Sequence, residues 1–270
     1  MKEYQILLTN DDGIESPGLW AAAEALSQLG FVHVTAPREQ YSGAGRSLPS
    51  NSDGLIESRQ VKVNSKIWTV YAIGGSPAQT VQHAVLEILP QKPDLVVSGI
   101  NYGENVGTGV TISGTVGAAL EAAALGIPAL AISLETDPIH HLSYSTEVDF
   151  SAAAQFTALF ARLLLTQRLP EDVDVLKVDV PIHATTETPW KITHITRQSY
   201  YSPVQPVRTS LTEPGMLKYA RVDDPHHPPG SDAHTLRVEK QVSVTPLSLD
   251  LTSRVAFAEL EQLLKRAADR

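Results

Sequence analysis

Asp11 and Asp12 stand side by side in Thr9-Asn10-Asp11-Asp12-Gly13, immediately after the apolar run Tyr4-Gln5-Ile6-Leu7-Leu8. Two adjacent carboxylates repel each other, and burying them together is costly unless a cation lies between them. Gly13 frees the backbone to turn so that both side chains approach one point. The chemistry this suggests is divalent-metal binding; a solvated Asp-Asp-Gly turn or a helix-capping Asp is the plainer alternative. The chain contains no cysteine, so any metal sits on oxygen or imidazole. Oxygen donors favour magnesium, manganese or calcium.

Three further segments could share that chemistry. Tyr41-Ser42-Gly43-Ala44-Gly45-Arg46-Ser47 is a loop of small residues whose amides and hydroxyl can approach an anion or a metal, although Ser/Gly-rich loops are usually only loops. Arg46 there is either a phosphate partner or a solvated surface cation. Ser98-Gly99-Ile100-Asn101-Tyr102-Gly103-Glu104-Asn105 offers Asn101 as a neutral oxygen ligand, against the plain reading of an Asn turn. Ile112-Ser113-Gly114-Thr115-Val116 opens a helix, whose free amides and hydroxyls make an anion site as well as a cap.

The elements that must position these residues alternate between strand and helix, the pattern of a parallel sheet wrapped by helices. Strands are predicted at Tyr4–Leu8, Phe31–Ala36, around Val61, Trp68–Ile73, Leu95–Ser98 and Ala129–Leu134. Helices are predicted at Pro17–Leu29, with Ser16 as cap and Gly30 as stop, from Ser76-Pro77 to about Leu89, at Val116–Leu125 and at Phe150–Leu165. In an open α/β sheet, ligands bind outside the carboxyl ends of the strands. All four segments fall there, and their convergence supports a metal-plus-phosphate site more strongly than any one of them. After Pro181, helical periodicity fades and Tyr200–Val244 reads as extended, hairpin-like chain. An amphipathic helix closes the sequence from Val255 to Ala268.

The predicted architecture is therefore α/β: a Rossmann-like, mostly parallel sheet flanked by helices, with an extended β-hairpin arm and a C-terminal helix. Its parts are a catalytic core over 1–198, an arm over 199–250 that packs on the sheet or at a subunit interface, and the helix over 251–270. Hydrophobic residues at 42% and charged residues at 19% are ordinary for a globular domain. A formal net charge of −9 argues against binding a nucleic-acid polymer. No apolar run is long enough to span a bilayer, and the chain reads as soluble and cytoplasmic, with no membrane partner.

The motifs together resemble the stationary-phase survival protein SurE family, metal-dependent acid phosphatases acting on nucleoside monophosphates. The resemblance rests on Ile6-Leu7-Leu8-Thr9-Asn10-Asp11-Asp12-Gly13, Ala36-Pro37 followed by Ser42-Gly43, Val97-Ser98-Gly99-Ile100-Asn101 and Ser113-Gly114-Thr115-Val116. Val244-Thr245-Pro246-Leu247 with Asp250-Leu251-Thr252 extends it to the end of the chain. It implies that Asp11, Asp12, Ser42 and Asn101 hold one divalent ion per subunit, Mg2+ or Mn2+. It implies a phosphate pocket of Asn105, Ser113, Gly114 and Thr115, and a homodimer or homotetramer assembled through the C-terminal arm. The chain departs from the family pattern at Gln79, where the family usually has Asp, and at Arg38, where Asp is common. Both departures bear on base preference rather than on the metal ligands.

The expected reaction is hydrolysis of nucleoside 5′-monophosphates, with 3′-monophosphates as further substrates. Asp11 and Asp12 are the candidate catalytic residues, and Asp11 serves as nucleophile or as the base that orients water. Asp232 and His234, in the arm, read as a surface pair, with contact to the leaving group or to the subunit interface as the alternatives. The alternative of a different class is a nucleotide- and metal-binding module without turnover. A phosphoryl-receiving domain would need a further Asp and a Lys at later strand ends, where Ser98 and Ser133–Glu135 stand. A haloacid-dehalogenase-type phosphatase needs Asp-x-Asp, and a dinucleotide-binding dehydrogenase needs a Gly-rich turn after the first strand.

Overall fold

The computed structural model describes residues 3–63, 65–141, 143–222 and 226–268. Residues 223–225 of the arm and 269–270 at the chain end lie outside the described residues. Strand β1 (Tyr4–Thr9) lies in the interior of a nine-stranded sheet. It pairs in parallel with β2 (Gly30–Pro37) on one side and with β5 (Leu95–Tyr102) on the other. Beyond β2 lie β4 (Lys66–Ile73), parallel to it, and β3 (Ile56–Val63), which forms a hairpin with β4. Beyond β5 lie β6 (Ala129–Leu134) and β7 (Val175–Val180), both parallel. The chain thus turns one way from β1 to β2 and returns to the other side at β5. That reversal makes a topological switch point at the carboxyl ends of β1 and β5, the place where α/β sheets bind ligands.

Both faces of the sheet are covered, which is why β5 and β6 read as mostly apolar runs rather than alternating patterns. Helices α1 (Pro17–Leu26) and α4 (Ser151–Thr166) pack on one face, through Leu19, Ala23, Phe156 and Phe160. Helices α2 (Pro77–His83) and α3 (Gly114–Ala124) cover the other, through Val81, Val116, Ala119 and Ala122. Burying one such aliphatic side chain contributes about 1.5–3 kcal/mol, so each helix is held mainly by its apolar face.

Several elements differ from the sequence reading. The first helix ends at Leu26, and Gly30 opens β2 instead of stopping the helix. Strand β5 continues through Asn101 to Tyr102, with a register shift against β6 between Ser98 and Asn101 and a cis Gly99–Ile100 peptide. The extended reading of Tyr200–Val244 fits β9 (Tyr201–Val204) and β10 (Lys218–Arg221), which form an antiparallel ribbon. It does not fit α5 (Asp232–Arg237), a short helix capped by Ser231. Nor does it cover β11 (Val242–Leu247), which lies inside the main sheet, antiparallel to β7 and parallel to β8 (Trp190–Ile192). Val242 and Val244 are buried there, and that apolar burial draws the segment out of the arm and into the core. The closing helix, α6 (Phe257–Ala268), is exposed along its whole length. No described helix is long and apolar enough to cross a membrane.

Candidate active site

Asp11 and Asp12 leave β1 at this switch point and are only 6% and 3% exposed. Asn10 closes the turn by bridging to Gly13 in both directions, and Gly13 takes φ +98°, a conformation open to glycine at little cost. The two carboxylates then diverge to different partners. Asp11 Oδ1 accepts the Thr115 hydroxyl at 2.5 Å, and its carboxyl group faces the start of α3. A Cβ on Gly114 would stand 2.7 Å from Asp11 Cβ, so only glycine permits this approach. Asp12 accepts the Tyr102 amide at 3.1 Å and the Gln40 side chain at 3.1 Å, while Tyr144 donates to its backbone carbonyl.

Burial pushes the Asp11 carboxyl up to about 6, against the Thr115 hydroxyl and helix-start amides that favour its charged form. Asp12 is raised well above the ordinary range by burial and by the charge of Asp11. No basic side chain is among the groups acting on either acid. The pair is therefore a buried double acid whose countercharge is not supplied by the described residues.

Asn101 sits near the end of the neighbouring strand β5 and commits its amide nitrogen to the Gly103 carbonyl at 2.7 Å. That leaves its oxygen as the end suited to a cation. The loop carrying Ser42 is strung between the two halves of the site: the Tyr41 amide donates to the Asp11 carbonyl and the Gly45 amide to the Ile112 carbonyl. Ser42 itself is exposed on that loop. Among the described residues no three His, Asp or Glu side chains converge as a cage. A cation here would take two carboxylates and neutral oxygens, a donor set suited to magnesium or manganese.

Ser113 caps α3 by accepting the Val116 amide, and the Thr115 hydroxyl is engaged with Asp11. Asn105 donates its side-chain nitrogen to Ser133 Oγ at 2.8 Å, so one N–H of that amide remains for an anion.

Three charged or polar residues take roles in the structure that bear on the earlier readings. Arg46 is paired with Glu121 of α3 at 2.7 Å, which holds the Ser42 loop against the helix. Arg38 reaches β3, bonding Asp53 and Glu57. Gln79 forms a capping box with Ser76 and also contacts Ser52 and Pro49, so it anchors the chain after the Ser42 loop.

Asp232 is not a surface residue. It is fully buried and bonded to Lys177, together with Asp179. The sequence reading missed this group, as it missed Gln40 and Tyr144. The signal for Lys177 and Asp179 was present: opposite charges two residues apart inside an apolar run share one face of a buried strand.

Comparison with known proteins identifies the family. A family model described as survival protein SurE matches residues 6–202. The chain is 42% identical over 261 residues to the 5′-nucleotidase SurE of Thermococcus gammatolerans, covering 96% of each chain. It is 41% identical over 262 residues to the 5′-nucleotidase SurE of Archaeoglobus fulgidus, covering 95% of this chain and 96% of that one. The crystal structure of the SurE protein from Aquifex aeolicus superposes with a TM-score of 0.75 at 32% identity, over 96% of this chain and 99% of that one. With paired Asp residues at a sheet switch point and similarity along nearly its whole length, the chain belongs to the survival protein SurE family.

Proposed function

We propose that Asp11, Asp12, Ser42 and Asn101 hold one divalent cation, Mg2+ or Mn2+, and that Asn105, Ser113, Gly114 and Thr115 receive the substrate phosphate beside it. The chain is a 5′-nucleotidase: it hydrolyses the phosphomonoester of nucleoside 5′-monophosphates, and 3′-monophosphates fit the same chemistry. The observation that carries this reading is the buried Asp11–Asp12 pair with no basic partner acting on it among the described residues. Such a pair is stable in its charged form only with a cation.

When bound, the metal supplies positive charge that offsets the phosphate oxygens and polarises phosphorus. The protein's own groups supply position. Asp11, oriented by Thr115, acts as nucleophile or as the base that takes a proton from the attacking water. The amides at the start of α3 and the free N–H of Asn105 stabilise charge gathering on the phosphate. Gln40 and the Tyr102 amide keep Asp12 turned toward the same point. The arm around β9 and β10 exposes Leu211, Met216 and Tyr219, and we assign it to a homodimeric or homotetrameric interface.

The test is phosphate release from a panel of nucleoside 5′- and 3′-monophosphates with Mg2+, with Mn2+ and with chelator, for wild type and Asp11→Ala. Chelator-sensitive release that disappears in the variant is the expected result. No release from any monophosphate with either metal would leave a binding module without turnover.

A further inference from the structure

Lys177, Asp179 and Asp232 form a sealed charge cluster away from the proposed metal ligands. Their side chains are 0–1% exposed, and Lys177 bonds both acids. Every carboxylate oxygen in the cluster has a partner. Asp179 Oδ1 accepts the Asn105 amide at 2.7 Å, and Oδ2 accepts Lys177. Asp232 Oδ2 accepts the Gly107 amide at 2.9 Å as well as Lys177, and its Oδ1 accepts the Thr196 and Ala233 amides. Burial opposes the charge on Lys177, yet the two carboxylates more than offset it and hold the ammonium in its charged form.

Two of these bonds run to one short stretch of backbone. The Asn105 and Gly107 amides both end on the cluster, and Asn105 is the residue whose side chain is assigned to the phosphate. A fold needing only stability has a cheaper solution, because apolar residues of similar volume often match or exceed a buried ion group. What apolar residues cannot provide is two fixed acceptors for the amides of a loop that lies beside the reacting group.

We propose that Lys177, Asp179 and Asp232 are positioning residues for catalysis, fixing the backbone at 105–107 so that Asn105 meets the phosphate. The inference rests on the reading of Asn105 as a phosphate ligand. Asp179 is the sensitive member, since it alone joins the lysine to the Asn105 amide. In Asp179→Asn the side chain keeps its size but retains a single acceptor oxygen. Lys177 and the Asn105 amide sit on different oxygens of Asp179, so in the variant one of these donors faces an NH2 group instead of an acceptor. Lys177 keeps Asp232 as its counter-ion, so the variant is built to fold.

The experiment is a double-mutant cycle with Asn105→Ala, Asp179→Asn and the combined variant, using adenosine 5′-monophosphate and Mn2+. Asp179→Glu, which keeps the charge but displaces the acceptor, is run through the same cycle as a second probe. Folding is checked by near-ultraviolet circular dichroism and Mn2+ affinity by calorimetry. The expected result is a kcat/KM lowered about 10- to 100-fold in Asp179→Asn, the scale of a displaced positioning group, with Mn2+ affinity unchanged. The combined variant should be no slower than Asn105→Ala alone, because both changes remove one function. If the two defects multiply, or if Asp179→Asn and Asp179→Glu turn over like wild type, the positioning role is wrong. Wild-type turnover by Asn105→Ala would overturn the phosphate assignment itself, and this inference with it. A slow Asn105→Ala with a multiplicative cycle overturns the inference alone.

Discussion

The molecule buries carboxylates in two places and treats them differently. At the end of β7, Asp179 and Asp232 share the ammonium of Lys177, and backbone amides take the remaining lone pairs. At the end of β1, Asp11 and Asp12 have hydrogen bonds from Thr115, Gln40 and the Tyr102 amide, but no cation from the described residues acts on them. The first group is electrostatically closed. The second is open; burial raises both of its acids above their ordinary range, and it raises Asp179 of the closed cluster too, against the pull of Lys177. A lysine that completes a site also blocks it, so the open pair is the one able to take a metal and change partners during a reaction. The same residue types thus build one cluster neutralised from within and one that is not.

The sharpest way to break this contrast is to remove one acid from the open pair. Asp11→Ala should lower kcat by about 10³-fold or more, the scale seen when an essential group of a catalytic cluster is deleted. Its melting temperature in chelator should hold or rise at pH 7, because an uncompensated buried charge has gone. A steady-state assay beside a thermal melt decides both halves, and a large loss of metal-free stability would contradict the open-site description.

The closed cluster should respond in the opposite sense. Lys177→Met leaves two buried acids without a counter-ion and should cost about 3–5 kcal/mol of folding free energy. Denaturant titration reads this directly. A loss below about 1 kcal/mol, the level of a surface pair, would show that the cluster is not sealed.

Acidity offers a further handle on the open site. Asp11 has a pKa near 6 in the fold against an ordinary value of 3.8, so the folded state favours its protonated form. That contribution is fully present below about pH 4 and is lost as pH rises through about 6. The metal-free Asp11 site should therefore lose up to about 3 kcal/mol across that window, at about 1.4 kcal/mol per unit of pKa. Saturating Mn2+ should restore stability at pH 7 by mass action. Chemical denaturation of wild type and Asp11→Asn at several pH values isolates the effect, and identical pH profiles for the two would refute it.

The smallest expected change concerns the frame around Asp12. Tyr144→Phe removes one hydrogen bond to the Asp12 carbonyl and should cost about 1 kcal/mol. Activity should fall less than tenfold, since both acids keep their other partners. A loss as large as that of Asp11→Ala would place Tyr144 in the chemistry itself.

Legibility in the sequence followed the range of the interactions. The Asp pair, Asn101 and the Ser113–Thr115 turn could be singled out as candidates because each sits at a strand end or helix start, positions marked by local periodicity. The Gln79 and Arg38 departures were visible as letters, but their roles as a cap and as an anchor to β3 were not. The extended reading after Tyr200 fits β9 and β10 and fails at α5; β11 is extended as well but lies in the main sheet, because an apolar strand looks alike in an arm or in a sheet.

By itself, then, the sequence determined an α/β sheet, a candidate site at its carboxyl end and an acid pair too close together to be buried without a cation. Those follow from hydrophobic period, turn residues and like-charge repulsion, all of which act over a few residues. Only the tertiary structure decided which acids are neutralised from within. Thr115 meets Asp11 across 104 positions and Lys177 meets Asp232 across 55. Pairing over such separations is set by strand order and by how closely α3 and α5 approach the sheet, and no local pattern encodes it.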